Sequence, residues 1–99
     1  MKFKDRIQIY IRAFNHWGVQ VQLIAALEEF SELNVEIAKH LNNKRENTTG
    51  LVDELADARI MIEQLEYNFN LSELVQDRMN IKCEKLLLKL SELIFQNKE

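Results

Sequence analysis

Apolar residues along this chain recur at the three- and four-residue spacing of helices, and four such patterns follow one another. Phe3, Ile7, Tyr10, Ile11 and Phe14 mark the first, running to about Asn15 before His16-Trp17-Gly18 breaks it. Leu23, Leu27, Phe30, Ile37 and Leu41 mark a second, from about Val19 to His40 or Leu41. The polar stretch from Asn42 to Gly50, rich in capping residues, reads as the one obvious loop. Leu51, Leu55, Ala58, Ile62, Leu65 and Phe69 form the third pattern. Asn70 followed by Glu73 reads as a capping box opening the fourth, which carries Val75, Met79, Leu86, Leu90 and Leu93. Four amphipathic helices with short connections predict an all-α, four-helix antiparallel bundle, with residues 1–99 as a single domain. The fourth helix differs from the rest. Leu86-Leu87-Leu88, with Ile94 and Phe95, makes it apolar on more than one face, and such a helix usually buries its second face on another chain. A homo-oligomer is expected, most simply a homodimer, with a homotetramer as the alternative.

Composition narrows the function classes. The 99 residues include no proline and two glycines, so little interrupts long helices and the turn residues of β architectures are missing. Hydrophobic residues at 46% are too many for a disordered chain. Thirteen basic against 16 acidic side chains leave a net charge of −3, which argues against a nucleic-acid partner. Met1 to Arg6 has positive charge but no apolar segment behind it, and no apolar run approaches the ~20 residues of a membrane helix. A cytoplasmic protein without a membrane partner is expected. Cys83 has no second thiol to pair with and reads as a small, part-buried helical side chain. His16 and His40 lack ligand spacing and read as surface residues.

The acids are placed less ordinarily. Counting about 100° per residue, Glu54 falls about 20° from Leu65 of the third apolar stripe, with Asp57 about 60° further out. A carboxylate beside a core stripe is costly to desolvate unless something cationic meets it. Glu29, Glu32 and Glu36 share one flank of the second helix, where like charges at this spacing repel. If the second and third helices pack antiparallel, Glu29-x-x-Glu32 faces Glu54-x-x-Asp57. Four oxygen donors would then suit Mg²⁺, a hard cation that keeps waters for a phosphate substrate. Acid pairs also occur on ordinary solvated faces, so spacing alone leaves a metal site and a solvated face both open.

The residues around these acids carry a resemblance. Glu28-Glu29-Phe30-Ser31-Glu32, followed after an interval by Glu54-Leu55-Ala56-Asp57, resembles the EExxE…ExxD signature of the MazG-like all-α nucleoside-triphosphate pyrophosphohydrolases. Trp17-Gly18 and Gln22 resemble that family's lead-in, and Leu55-Ala56-Asp57 running into Ile60 to Leu65 resembles its third helix. The likeness covers about residues 15 to 90. It implies Mg²⁺-dependent hydrolysis (Mn²⁺ as the alternative) of a (deoxy)nucleoside triphosphate to the monophosphate and pyrophosphate, with house-cleaning of nucleotide pools as the role. Glu29, Glu32, Glu54 and Asp57 would be the metal ligands; Glu28 beside them reads either as the group that orients or deprotonates the attacking water or as a solvent-facing glutamate. The family often has a phosphate-contacting lysine in the fourth helix, where Arg78, Lys82, Lys85 and Lys89 share one side; Lys82 fits best, then Lys85. Gln22, Trp17 and Asn15 are the candidates to line the base pocket, with helix packing the leading alternative for Trp17. Two alternatives stand beside this: a phosphoribosyl-ATP-type pyrophosphohydrolase, and a non-catalytic helical oligomerisation or regulatory module.

Overall fold

Two residues with positive φ set the joints between helices. In a computed structural model that describes residues 1–42 and 48–97 (side chains only to 93), the elements are α1 (Phe3–Trp17), α2 (Val19–Leu41), α3 (Thr49–Asn68) and α4 (Ser72–Asn97). Gly18, at φ 88°, ends α1 and begins α2, and its N–H donates to the Phe14 carbonyl. Only glycine enters that region without a Cβ penalty. The helix therefore runs through His16 and Trp17, beyond the expected break, and turns at the glycine itself. At the other joint Asn70 has φ 57°. The Asn70 N–H donates to Tyr67 and the Leu71 N–H to Glu66, the paired bonds of a Schellman ending. Asn70 thus terminates α3 rather than capping α4, which begins two residues later at Ser72. Thr49 and Gly50, expected in the loop, form the first turn of α3. The remainder of the expected loop, Asn43 to Asn47, lies outside the described residues.

The chain is all-α, with no strand among the described residues. α2 lies along α3, α1 contacts both, and α4 touches α3 alone. The interior is small: Tyr10, Ala26, Ala58 and Met61 are its buried apolar residues, joined by Gln22 and Glu36. This departs from the expected stripes. On α2 the buried face carries Gln22, Ala26 and Glu36, while Leu23, Ile37, Leu27 and Leu41 face outward, the last two 68% and 80% exposed. On α3, Ala58 is buried and Leu51 and Leu65 are half-buried, but Leu55, Ile62 and Phe69 lie open. Every described side chain of α4 from Gln76 to Leu93 is exposed, Leu86, Leu87 and Leu88 included. Ile94 and Phe95 lie outside the described side chains.

The surface area measures the consequence. The chain exposes 8254 Å², whereas a compact monomer of its mass exposes about 5,900 Å². Its radius of gyration is 17.7 Å, against about 13 Å for a compact chain of this length. No described helix is long and apolar enough to cross a membrane.

Candidate metal centre

One turn of α2 and one turn of α3 meet through their acids. Glu29 and Glu32 lie at i,i+3 on α2, Glu54 and Asp57 at i,i+3 on α3, so each helix projects its pair from one face. One carboxylate oxygen from each of the four lies within 4.8 Å of all the others. Glu29 and Glu54 are the inner, half-buried members, and Glu32 and Asp57 the outer, exposed ones. The convergence expected from spacing is present.

The electrostatics of the quartet are one-sided. Glu29 Oε2 and Glu54 Oε2 are buried with no hydrogen-bond partner. Among the described residues no lysine, arginine or histidine forms an ion pair with any of the four. Burial, followed by the charges of Glu32, Asp57 and Glu54, pushes the Glu29 carboxyl above its ordinary value. Glu54 is pushed up in the same way, by burial and then by Glu32, Asp57 and Glu36. Buried carboxylates normally find a cation or a donor, and these have found each other. Four hard oxygens with two orphaned inner atoms fit a divalent cation of the Mg²⁺, Mn²⁺ or Ca²⁺ type, and lack the sulfur or imidazole that softer metals favour.

A second acidic residue of α3 shows the opposite arrangement. Glu63 lies about 180° around the helix from Glu54 and faces α1. Arg6 donates to both its oxygens, Nε at 3.3 Å and Nη2 at 3.1 Å, and the buried Tyr10 hydroxyl donates to Oε2. Arg6 also stacks over the Phe3 ring at 4.9 Å. Burial alone would raise the Glu63 carboxyl, but these bonds outweigh it and hold it below the ordinary range.

The other expected site residues are scattered. Glu28 is exposed beside the quartet on α2. Gln22 is buried, two turns before Glu29. Trp17 is 57% exposed at the end of α1, where it lines an open cleft of about 720 Å³ with Ile9, Arg12, Ala13, Asn15 and His16. Lys82 lies on α4 in a cleft of about 350 Å³ with Arg78 and the apolar Leu71, Leu74, Val75 and Met79. Lys85 is exposed further along the same helix. Cys83 is exposed rather than part-buried.

Two participants, Glu36 and His40, lie outside the expected site. Glu36, grouped only with the flank of α2, is 6% exposed and lies 3.7 Å from His40 Nε2. His40 is accordingly half-buried, not a plain surface residue. The signal for Glu36 was its spacing of four and seven from Glu32 and Glu29, which keeps it on the same stripe. Compared with protein-family models, with curated proteins and with solved structures, the chain matches none.

Proposed function

We propose that the quartet Glu29, Glu32, Glu54 and Asp57 holds Mg²⁺ and that the chain hydrolyses a (deoxy)nucleoside triphosphate to its monophosphate and pyrophosphate. The observation that carries the first half is the convergence of four carboxylate oxygens within 4.8 Å, two of the residues having a buried, unpartnered oxygen. The likeness to the MazG-like signature supports the second half. A bound divalent cation would supply Lewis-acid polarisation of the phosphate and neutralise charge developing there. The protein's part is positioning. Glu29 and Glu54, held on two packed helices, fix the centre, while Glu32 and Asp57 form its exposed edge toward the substrate. Glu28, exposed one residue before the first ligand, is available to accept a proton from the attacking water. Trp17, with Asn15 and Arg12 in an open cleft, suits a planar base, and Gln22 would act from the inner face of α2. Lys82 and Lys85 are the cations assigned to the triphosphate.

Assembly belongs to the same proposal. The exposed leucines of α2 and α4, and a surface larger by about 2,300 Å² than a compact monomer's, support a homodimer or homotetramer. An area of that size matches an obligate interface. The same surface favours the second reading, a non-catalytic oligomerisation module.

Pyrophosphate release separates them. Incubating the enzyme with a panel of dNTPs, NTPs and phosphoribosyl-ATP, with and without Mg²⁺, should give Mg²⁺-dependent release from at least one nucleotide. No release from any at micromolar enzyme leaves only the assembly module. Light scattering reports the oligomer independently.

A further inference from the structure

One buried carboxylate next to the quartet is not among the four. Glu36 of α2 meets Gly50 of α3 while Glu29 and Glu32 meet Glu54 and Asp57, so the two helices run antiparallel. A step of one turn forward along α2 therefore matches a step of one turn back along α3. From Glu32 and Glu54 that step leads to Glu36 and Gly50, and these two are in contact. A Cβ added to Gly50 would come within 2.5 Å of Glu36 Oε1, 2.9 Å of its Cδ and 3.1 Å of Oε2. The Glu36 carboxylate therefore rests on the bare Cα of Gly50, in the first turn of α3.

That end of α3 lacks the usual local anion. Thr48 makes no side-chain capping hydrogen bond, and the first turn of α3 contains no acid. The first turn of a helix carries partial positive charge and favours a carboxylate. Here the carboxylate comes from α2. Its reach is limited by burial, since Glu36 is 6% exposed and its Oε1, the oxygen nearest Gly50, also has His40 Nε2 at 3.7 Å.

We propose that Glu36 is a positioning residue of the acid quartet: seated on Gly50, its carboxylate fixes the first turn of α3 against α2 and so sets the spacing of Glu54 and Asp57 from Glu29 and Glu32. This rests on reading the quartet as a metal centre. Gly50 is the other half of the device, because any side chain there displaces the carboxylate. An ordinary helical glycine replaced by alanine gains stability. Gly50→Ala is expected to do the reverse.

Mn²⁺ affinity, followed by electron paramagnetic resonance at a temperature where every variant keeps its helical circular dichroism, tests this. Gly50→Ala changes no charge and no ligand, yet should weaken Mn²⁺ binding about tenfold or more, the range typical of residues that orient metal ligands. In a Glu36→Ala background the same substitution should cost less than about twofold, because the contact it disrupts is already gone. Unchanged affinity in Gly50→Ala, or losses that simply add in the double variant, overturn the positioning role while leaving the metal centre intact. A wild-type protein that binds no Mn²⁺ overturns the metal centre and this inference with it. If Gly50→Ala loses its helical signal, Glu36→Gln decides: it keeps the shape without the charge, and affinity equal to wild type sinks the inference.

Discussion

Glu54 and Glu63 stand on the same helix and face opposite partners, and their surroundings could hardly differ more. Glu63 meets α1, which brings the Arg6 guanidinium and the Tyr10 hydroxyl to its oxygens. Glu54 meets α2, which brings Glu29 and Glu32 and, one turn on, Glu36. One carboxyl is held below its ordinary range and the other pushed above it. A part-buried acid whose neighbours supply a cation and a donor has its structural explanation within the chain. An acid whose neighbours are further acids has none, and an external cation supplies one.

The largest effect expected from this contrast is on turnover. Glu29→Gln and Glu54→Gln should each lower pyrophosphate release at least about a hundredfold, the scale of removing a group that stabilises the transition state. Both should retain their helical circular dichroism. Glu63→Gln, outside the quartet, should leave metal-dependent turnover near wild type at temperatures where it is folded. If Glu54→Gln stays fully active, the proposed centre is wrong.

Stability should separate the two acids by sign. Glu63→Ala strips Arg6 and Tyr10 of their shared acceptor and should cost about 1–2 kcal/mol in chemical denaturation. Tyr10→Phe removes a single hydroxyl of that network and should cost about 1 kcal/mol. Glu54→Gln relieves repulsion, so the metal-free variant should melt above metal-free wild type. A Glu54→Gln variant that melts lower would mean the quartet is not strained by its own charge.

The pH profile should be a smaller sign of the same opposition. Glu29 and Glu54 have folded-state values above their ordinary 4.5, so the folded state holds protons that the unfolded chain has released. Their contribution to stability therefore falls as pH rises through the window above about 4.5. Glu63 is depressed, so its contribution is complete above its ordinary 4.5 and is lost as pH falls through the lower folded value. Metal-free protein should lose melting temperature as pH rises above about 4.5, and saturating Mg²⁺ should flatten that loss. A metal-free profile that rises over this interval contradicts the raised carboxyls.

The helices and the quartet were legible because both depend on local spacing. The four apolar patterns located four helices, and the two i,i+3 acid pairs pointed to one meeting place. What spacing does not encode is which helix each face meets. The leucine stripe of α2 looks like core by periodicity, yet α2 turns Gln22, Ala26 and Glu36 inward and leaves Leu27 and Leu41 outside. Glu63 gave no local signal because its partners, Arg6 and Tyr10, lie on the first helix, far away in sequence. Asn70 is ambiguous in sequence for a related reason: asparagine serves both as an N-cap and as a left-handed helix end, and only the backbone angle distinguishes the two. Glu36 depended on a contact with Gly50, a residue that reads as loop until α3 is seen to begin at Thr49.

The most direct measurement is the thermal melt of wild type and Glu54→Gln at pH 7.5 across a Mg²⁺ titration. A metal centre predicts crossing behaviour. Without Mg²⁺ the variant melts higher, and with rising Mg²⁺ wild type climbs past it while the variant stays nearly flat. Two proteins that respond equally to Mg²⁺, or a wild type that does not respond at all, would contradict a divalent-cation site at Glu29, Glu32, Glu54 and Asp57.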